Sequence, residues 1–577
     1  MSLLLTLTIF VPLAAALLLF AAPRLDYRLA RAVALAAVLA SLGLTVVLCA
    51  AFDPAAAGPQ FAARETWTAG QLKGSAFGSE WIRVGNGPGI RFALGLDGVG
   101  LALFALTGLL MVPSVFASWE SIKERAAGHY ALMLLLHTGL LGLFAALDVV
   151  LFYVFFEFTL IPLFFLIGLY GGPERRRASV TFFLYTLAGS LLTLLGVIAL
   201  VVVHFHHATG PQHLLTFSIP ELTAGLQTLN WPAWNPAWNA MRWYSPQALI
   251  FLLLFAGFAI KVPLFPFHTW LPLAHVEAPT AGSILLAGVL LKVGGYGFLR
   301  FNLGMVPLGA HYYMPLLAIL SVAGIIYGAL TALAQSDVKR LVAYSSVSHM
   351  GFITLGLFSL TQVGLDGATI QMINHGITTG ALFACVGVLY ERYHTREMSE
   401  MGGLWKRLPP LAFFFILASL GSAAVPGLNG FVGEFPILLG QWARDPFYAI
   451  LATSGMILGA YYLFVMLQRV LFGPLKEPGH EHHDDHHHHA QTATAPPVRP
   501  VQWHEIAGLA PLMVLIVAIG VFPGPIFERI RPPLRALAAS LEAARERAES
   551  QDSLQPPQSR DLPTNSVAAT NSRDRAR

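Results

Sequence analysis

The chain has 577 residues, of which 55% are hydrophobic and only 11% are charged. Soluble domains carry roughly 25% charged residues, so this chain cannot cover a water-facing surface and the bilayer must be its main solvent. The net charge of +4 gives no support to nucleic-acid binding, and two cysteines, Cys49 and Cys385, are too few for an iron–sulfur or zinc site.

Long apolar stretches occur along most of the chain. A transmembrane helix needs about 20 largely apolar residues, and this length predicts an all-α, polytopic membrane protein of about 14 transmembrane helices. The stretches are 3–21, 29–50, 92–117, 130–147, 149–170, 178–203, 247–267, 281–302, 312–334, 339–360, 368–390, 409–439, 447–472 and 505–526. The first has its positive charges after the apolar run, at Arg24, Arg28 and Arg31, which favours a retained helix over a cleaved signal peptide.

Nearly every short loop rich in Lys and Arg falls on one side of the predicted membrane. With the N-terminus outside, the inside loops are PRLDYRLAR, ESIKERAAGH, GGPERRR, QSDVKR, ERYHTREMSEMGGLWKR and QRVLFGPLKEP. The positive-inside rule therefore predicts a multi-pass protein of the bacterial cytoplasmic (inner) membrane, with both termini outside. The long segments 51–91 and 204–246 also fall outside.

The spans group into two blocks with additions at both ends. We predict an N-terminal three-helix membrane segment, a five-helix repeat, a second, inverted five-helix repeat, a His-rich cytoplasmic loop, a last transmembrane helix and a polar C-terminal tail. In that order they cover 1–129, 130–302, 312–472, 473–504, 505–527 and 528–577. The His-rich run could bind a divalent metal, although such runs more often bind adventitiously. The tail starts with an amphipathic stretch, RALAASLEAARERAES, and its polar end is predicted to be disordered.

The fourth helix of each block cannot run unbroken. Lys261 is followed by Pro263 and Pro266, and Glu434 is followed by Pro436 and preceded by the run PGLNG. Proline removes a backbone donor and clashes with the preceding turn. Irregular backbone at membrane depth is tolerated only inside protein or beside a water-filled cavity. Paired broken helices in corresponding halves therefore predict a transport site built from inverted repeats.

Four charged residues stand out because they lie deep inside apolar spans. They are Glu157, Lys261, Lys292 and Glu434. A charge near the bilayer centre costs about 2.5–3.5 kcal/mol on the lenient insertion scale, so such residues survive where they pair or line a hydrated interior. Purely structural ion pairs are the alternative to a proton path.

Histidines within the spans can connect these charges. His349 and His375 lie in the second block, and an imidazole passes a proton through its two nitrogens. A packing role remains the alternative for each. His268 and His275 follow the first break, where proton uptake and simple interfacial placement are both compatible with the pattern.

A Glu–Lys pair has the energy needed for a switch. At about 4 Å and an effective dielectric of 20, the attraction is roughly 4 kcal/mol. Moving one charge against a membrane potential of 100 mV costs about 2.3 kcal/mol, an energy of the same order as this attraction. Lys261 can therefore hold a proton while Glu157 is near and release it toward Lys292 when Glu157 moves away.

The same stretches carry a family resemblance. FYVFFEFTLIPLFFLIGLYGG, FPFHTWLPLAHVEAPTAGSILLAGVLLKVGGYGFLRF, QSDVKRLVAYSSVSHMGF and GLNGFVGEFPIL resemble the antiporter-like, proton-translocating subunits of respiratory complex I, NADH-quinone oxidoreductase. The resemblance spans roughly 130 to 472, and the acidic residue at Glu434 is the mark of the subunit M group. Subunits L and N resemble each other in having lysine there.

The resemblance implies roles for individual residues. Glu157 and Lys261 would form the coupling pair, Lys292 the central relay, and Glu434 the exit side. His349 and His375 would lie on the hydrated central axis.

One position departs from the family pattern. Leu273 stands where the family commonly shows an acidic residue, which weakens any role for a carboxylate in proton uptake there.

The resemblance also implies which components belong to other chains. No cofactor is expected here; FMN, iron–sulfur clusters and quinone are expected in partner subunits. The expected partners are the other membrane subunits, above all subunits L and N and the lateral helix of L. Three alternatives stay open: a subunit of an Mrp-type cation/proton antiporter, a passive structural spacer, and a membrane-bound hydrogenase scaffold.

Overall fold

The protein is a bundle of membrane-length helices. The computed structural model describes residues 1–69, 72–85, 87–207, 214–229, 231, 243–478 and 498–553. Within those residues, 12 helices are long and apolar enough to cross a membrane. Two shorter apolar helices, Pro246–Lys261 and Pro409–Ser422, form the first halves of the two broken helices. The prediction of a polytopic helical protein of about fourteen spans is thereby confirmed.

Three helices and two hairpins form the N-terminal part. The helices are α1 (Ser2–Ala21), α2 (Tyr27–Ala51) and α3 (Gly98–Ala117), and the strands are β1 (Arg64–Ala69), β2 (Leu72–Phe77), β3 (Ser79–Ile82) and β4 (Ile90–Phe92). Strand β1 pairs with β2 and β3 with β4, both antiparallel. Helix α3 begins later than the predicted residue 92, because β4 occupies that position and the Asp97 carboxylate caps the helix at Gly100 N, 2.9 Å away.

The first block contains the first broken helix. Its helices are α4 (Ala126–Ala145), α5 (Val149–Phe158), α6 (Leu160–Tyr170), α7 (Arg175–His207), α8 (Ile219–Thr228), α9 (Pro246–Lys261), α10 (Trp270–Glu277), α11 (Thr280–Leu285) and α12 (Leu291–Gly297). Helices α11 and α12 belong to one span, Thr280–Leu303, which also contains two π-helical turns, Leu286–Leu290 and Phe298–Leu303.

The second block repeats this order. Its helices are α13 (Pro307–Leu333), α14 (Val338–Phe358), α15 (Gln362–Tyr393), α16 (Pro409–Ser422), α17 (Asn429–Arg444) and α18 (Pro446–Leu471). The break lies between α16 and α17, whereas Pro436 is inside α17 and does not end it. The broken helix comes fourth in both blocks. The exact block boundaries remain a prediction.

Side chains from neighbouring helices satisfy the backbone at both breaks. The Trp270 indole N–H donates to the Ile260 carbonyl near the end of α9, at 2.9 Å. At the second break, the Asn374 amide donates to Asn429 O at 2.7 Å, and the Asn429 amide donates back to Asn374 O at 3.4 Å. These bonds explain how irregular backbone is tolerated inside a membrane protein.

Contacts between loops define two opposite faces. On one, the hairpin face, Leu94 pairs with Ala146 and Asp148 pairs with Ser218. On the other, the basic face, Arg31 donates to Trp119 O. Further basic-face contacts are Gly172 N to Glu277 O and the ion pair of Arg396 with Asp337. The alternation assumed for the spans is therefore realised, with the short basic loops together.

Two helices end the described chain, α19 (Trp503–Val521) and α20 (Gly524–Ser553). Helix α20 is amphipathic and lies on the hairpin face, with Ile530, Leu534 and Leu541 buried. Its Arg531 forms an ion pair with Asp366 at 3.0 Å. The helix therefore starts before the predicted amphipathic stretch. Most of the predicted His-rich loop and the polar end of the tail lie outside the described residues.

The close approach of α3 and α20 gives a test of this packing. A Cβ on Gly98 would lie 1.7 Å from the Arg529 carbonyl oxygen, so Gly98→Ala must displace α20. Overpacking typically costs about 1–3 kcal/mol. We expect trypsin to cut α20 faster in the detergent-solubilised complex. Gly43→Ala, which meets nothing within 4 Å, is the matched control. Equal cleavage rates in both variants would contradict the packing.

Candidate proton path

Lys292 lies at the centre of the span Thr280–Leu303 and is fully buried. The two π-helical turns flank the short helix α12 that carries it, and π-bulges frequently mark functional sites. Its Nζ donates to the Ala287 carbonyl and lies 2.6 Å from His375 Nδ1. Lys292 and His375 are therefore in direct hydrogen-bond contact, as their proposed roles require.

Glu434 is buried within α17 and is held by two side chains. Its Oε1 lies 2.7 Å from His349 Nδ1 and accepts a hydrogen bond from Gln371 Nε2 at 3.0 Å. The other imidazole nitrogen of His349 contacts Ser422 Oγ at 3.1 Å and Tyr462 OH at 3.4 Å. Both nitrogens of His349 are thus connected, which is the arrangement that proton transfer through an imidazole needs.

The Lys292–His375 pair and the Glu434–His349 pair approach each other through their histidine rings. The ring centroids of His349 and His375 are 5.6 Å apart. Among the described residues, His375 Nε2 has no hydrogen-bond partner. The structure therefore brings Lys292, His375, His349 and Glu434 together in one buried series with a single gap between the rings.

Glu157 and Lys261 are neighbours without direct contact. Lys261 is 1% exposed, and within the described chain its Nζ has no hydrogen-bond partner and lies 4.7 Å above the Phe156 ring centroid. The half-buried Glu157 is near enough to act electrostatically on Lys261, but the two do not form an ion pair. An ammonium in such a place is a buried charge without an ion-pair partner among the described residues, which is energetically costly.

Apolar packing separates Lys261 from Lys292. Gly294 fits against Val262 and Phe258, and a Cβ on it would lie 2.5 Å from Val262 Cγ2. Phe258 also packs on Phe298. Hydrogen bonds within the predicted series therefore occur only from Lys292 onward, in the Lys292–His375 and His349–Glu434 pairs.

The two histidines after the first break, His268 and His275, are buried within the protein. His275 is 0% exposed and stacks on Phe383 with ring centroids 4.6 Å apart. It lies within electrostatic range of both Lys339 and Lys292. Leu273, the departure from the family pattern, is half-buried on the same helix.

Lys339 belongs to the stretch QSDVKR, which the sequence predicts to be a short basic loop. Its side chain is buried, and Nζ donates to the carbonyls of Ala278 at 2.6 Å and Val276 at 3.3 Å. It therefore satisfies the carbonyl groups at the end of α10. The positions of charges along the sequence could not reveal these hydrogen bonds of Lys339, because they depend on where α10 ends.

Three polar residues of the site were not singled out from the sequence: Gln371, Ser422 and Tyr462. Hydroxyl groups in helices often bond to their own carbonyl four residues back, so a serine inside a span carries little signal. Gln371 had a usable signal, since it lies one helical turn before His375 and on the same side.

A helical membrane protein with two broken helices and a buried series of lysine, histidine and glutamate belongs to the antiporter-like class of ion-translocating subunits. Residues 146–459 match the model of the NADH:quinone oxidoreductase/Mrp antiporter transmembrane family, and the chain belongs to this family.

Individual relatives and solved structures show which members of this family the chain resembles. It is 40% identical to NADH-quinone oxidoreductase subunit M of Rhodobacter capsulatus, over 94% of this chain and 97% of the relative. Its fold resembles a chain of respiratory complex I from Thermus thermophilus, with a TM-score of 0.76 and 32% identity, covering 93% and 99% of the two chains. A chain of the Mrp complex from Dietzia shares the fold, with a TM-score of 0.72 at 22% identity, covering 94% and 100%. Within the family, the chain groups with subunit M of NADH-quinone oxidoreductase.

Proposed function

We propose that this chain translocates a proton across the membrane as part of NADH:quinone oxidoreductase, through Glu157, Lys261, Lys292, His375, His349 and Glu434. The observation that carries the proposal is the buried contact series from Lys292 to Glu434. Buried charges are expensive in a membrane and mark proton relays, and in this series only the gap between the two histidine rings interrupts the contacts. One water molecule between the two rings would complete it.

The first half of the path works as a switch. When Glu157 approaches Lys261, the carboxylate stabilises the ammonium form and Lys261 takes up a proton. When they separate, the ammonium loses its partner and the proton moves toward Lys292. That step needs a transient hydration of the apolar contact around Gly294. His275 offers a second route of uptake from the basic face to Lys292, because it lies in electrostatic range of Lys292.

The redox chemistry belongs to other chains of the complex. FMN, the iron–sulfur clusters and quinone would be bound by partner subunits, and the two other antiporter-like subunits, L and N, with the lateral helix of L, would adjoin this chain. The basic face would be cytoplasmic and the hairpin face outside, with both termini outside, as the positive-inside rule requires. The Mrp-type alternative is supported by the family model, which includes Mrp antiporters, and by a likeness of fold at 22% identity.

Lys261→Met tests the proposal with little structural disturbance. Within the described chain Lys261 Nζ has no hydrogen-bond partner, so a methionine of similar length leaves no polar group unpaired. We expect the complex to assemble, while NADH-driven proton translocation and the coupled quinone reduction fall by about 100-fold, since each 1.36 kcal/mol of barrier is a factor of ten. The measurement is the quench of a pH-sensitive acridine dye in inverted membrane vesicles, with quinone reduction followed in parallel.

Lys476→Met is the matched control, because Lys476 is exposed and, among the described residues, its ammonium donates only to the Ser399 carbonyl on the basic face. Normal translocation in Lys261→Met would refute the switch and favour a passive spacer. Sodium transport that does not depend on NADH oxidation would favour the Mrp-type reading.

A further inference from the structure

An apolar groove opens between α2, α3, α15, α19 and α20, away from the proton path. Its volume is about 340 Å³, and it starts at the hairpin face and reaches the middle of α3 and α15. The side chains that line it along its length include Val46, Ala105, Leu109, Ile373, Ile377 and Leu515. Val46 is 59% exposed, so the groove opens on the side that faces lipid. Such a cavity has no polar groups to hold water along most of its length.

One positive charge lies at the end of the groove on the hairpin face. Within the described chain Arg529 has no ion pair, and its Nη1 donates only to the Pro525 carbonyl at 2.8 Å. The neighbouring arginine on α20, Arg531, pairs with Asp366. Arg529 is also near enough to the Cys49 thiol, which lines the groove, to interact with it electrostatically. The close contact of Gly98 with the Arg529 carbonyl fixes this arginine at the groove.

We propose that the groove binds one acyl chain of an anionic phospholipid whose phosphate pairs with Arg529. The hydrocarbon would occupy the apolar length, and the guanidinium would hold the phosphate where the groove reaches the membrane surface. Guanidinium matches phosphate geometry and forms charge-assisted hydrogen bonds with it. A lipid fits better than a soluble ligand, because the groove opens toward the bilayer and not toward water.

The groove is lined by one side of α15, the helix whose opposite side carries His375. Ile373 and Ile377 are one turn apart on α15, and His375 lies between them in sequence, which places it on the opposite side of the helix. A bound chain would support α15 from behind and keep His375 beside Lys292. Loss of the lipid should therefore reduce proton translocation partially, without removing any residue of the path.

Cys49 provides a direct reporter of occupancy, because it is half-buried in the groove, whereas Cys385 is fully buried elsewhere and serves as the internal reference. The purified complex would be stripped of lipid in detergent and then given vesicles of phosphatidylglycerol or phosphatidylcholine. N-ethylmaleimide labelling at Cys49 would be followed by peptide mass spectrometry. We expect phosphatidylglycerol, but not phosphatidylcholine, to slow labelling severalfold.

Two variants and one control distinguish the contribution of the Arg529 charge from that of the apolar cavity. Arg529→Ala should abolish the protection by phosphatidylglycerol, and Ala105→Phe should fill the groove and lower the lipid that copurifies. Arg535→Ala is the control, because Arg535 is exposed on the same helix and does not line the groove. Blue native electrophoresis would verify assembly of each complex.

Three outcomes would overturn the proposal. Equal protection by both lipids, or by detergent alone, would show that Arg529 selects nothing. A Cys49 that stays unlabelled in the lipid-free wild-type complex would show that a neighbouring subunit covers the groove. Unchanged protection in Arg529→Ala would remove the phosphate contact. None of these results bears on the proton path, which is tested by its own variants.

Discussion

Lys292→Met should reduce NADH-driven proton translocation by about 100-fold or more while the complex still assembles. The proton would then have to pass the centre of the membrane without a basic site, at a cost of about 2.5–3.5 kcal/mol, and each 1.36 kcal/mol is a factor of ten in rate. Methionine fills the space of the lysine but offers His375 Nδ1 no partner. Dye quench in inverted vesicles gives the rate.

Lys292→Arg distinguishes a relay from a structural charge. Arginine keeps the positive charge and the capacity to donate to the Ala287 carbonyl, but it does not release its proton in proteins. A relay therefore fails in both variants. If Lys292→Arg kept normal translocation, the lysine would serve only as a fixed charge, and the spacer reading would gain support.

The sequence was sufficient to locate the spans and the breaks, because both depend on local chemistry. A run of about 20 apolar residues needs a membrane, and the closely spaced Pro263 and Pro266 interrupt the helix that ends at Lys261. The two hairpins between α2 and α3 were missed, since short strands outside the membrane lack a hydrophobic pattern that separates them from loops. Arg64–Ala69 and Leu72–Phe77 pair antiparallel, with Ala69 opposite Leu72.

The contacts within the site depended on packing that the sequence does not encode locally. That Lys292 and His375 are ionisable residues inside spans can be read from the chain, but their contact joins residues 83 positions apart. The same holds for His349 and Glu434, 85 positions apart. The separation of Glu157 from Lys261 is also a property of one conformation, and the sequence predicted only that the two could pair.

The two halves of the path differ in a way that bears on coupling. The half around Glu434 is polar and connected, whereas the half around Lys261 is lined by Phe156, Phe258 and Val262. In the proposed path, a proton would redistribute within the polar half at little cost, but it would cross the apolar contact only when water enters. We therefore expect the contact at Gly294 to be the place where passage of the proton is controlled.

Glu434→Gln should nearly abolish translocation without disturbing the second broken helix. The glutamine carbonyl oxygen can still accept from Gln371 and from a protonated His349 Nδ1, so both contacts of Oε1 survive. What is lost is the capacity to take a proton from His349 and release it. Because both hydrogen bonds are kept and only the negative charge of their acceptor is lost, the decrease in the free energy of unfolding should stay within the range of about 1.5–3 kcal/mol that a hydrogen bond to a charged group contributes.

Gln371→Leu provides the matched control for this variant. It removes one hydrogen bond to the same oxygen and leaves the carboxylate and His349 in place, so we expect a partial loss of translocation. Comparing the two separates orientation of the carboxylate from its ionisation. Should Glu434→Gln translocate protons as well as Gln371→Leu does, ionisation of Glu434 would be unnecessary, and protons would have to leave the relay by another group, such as Tyr462 beside His349.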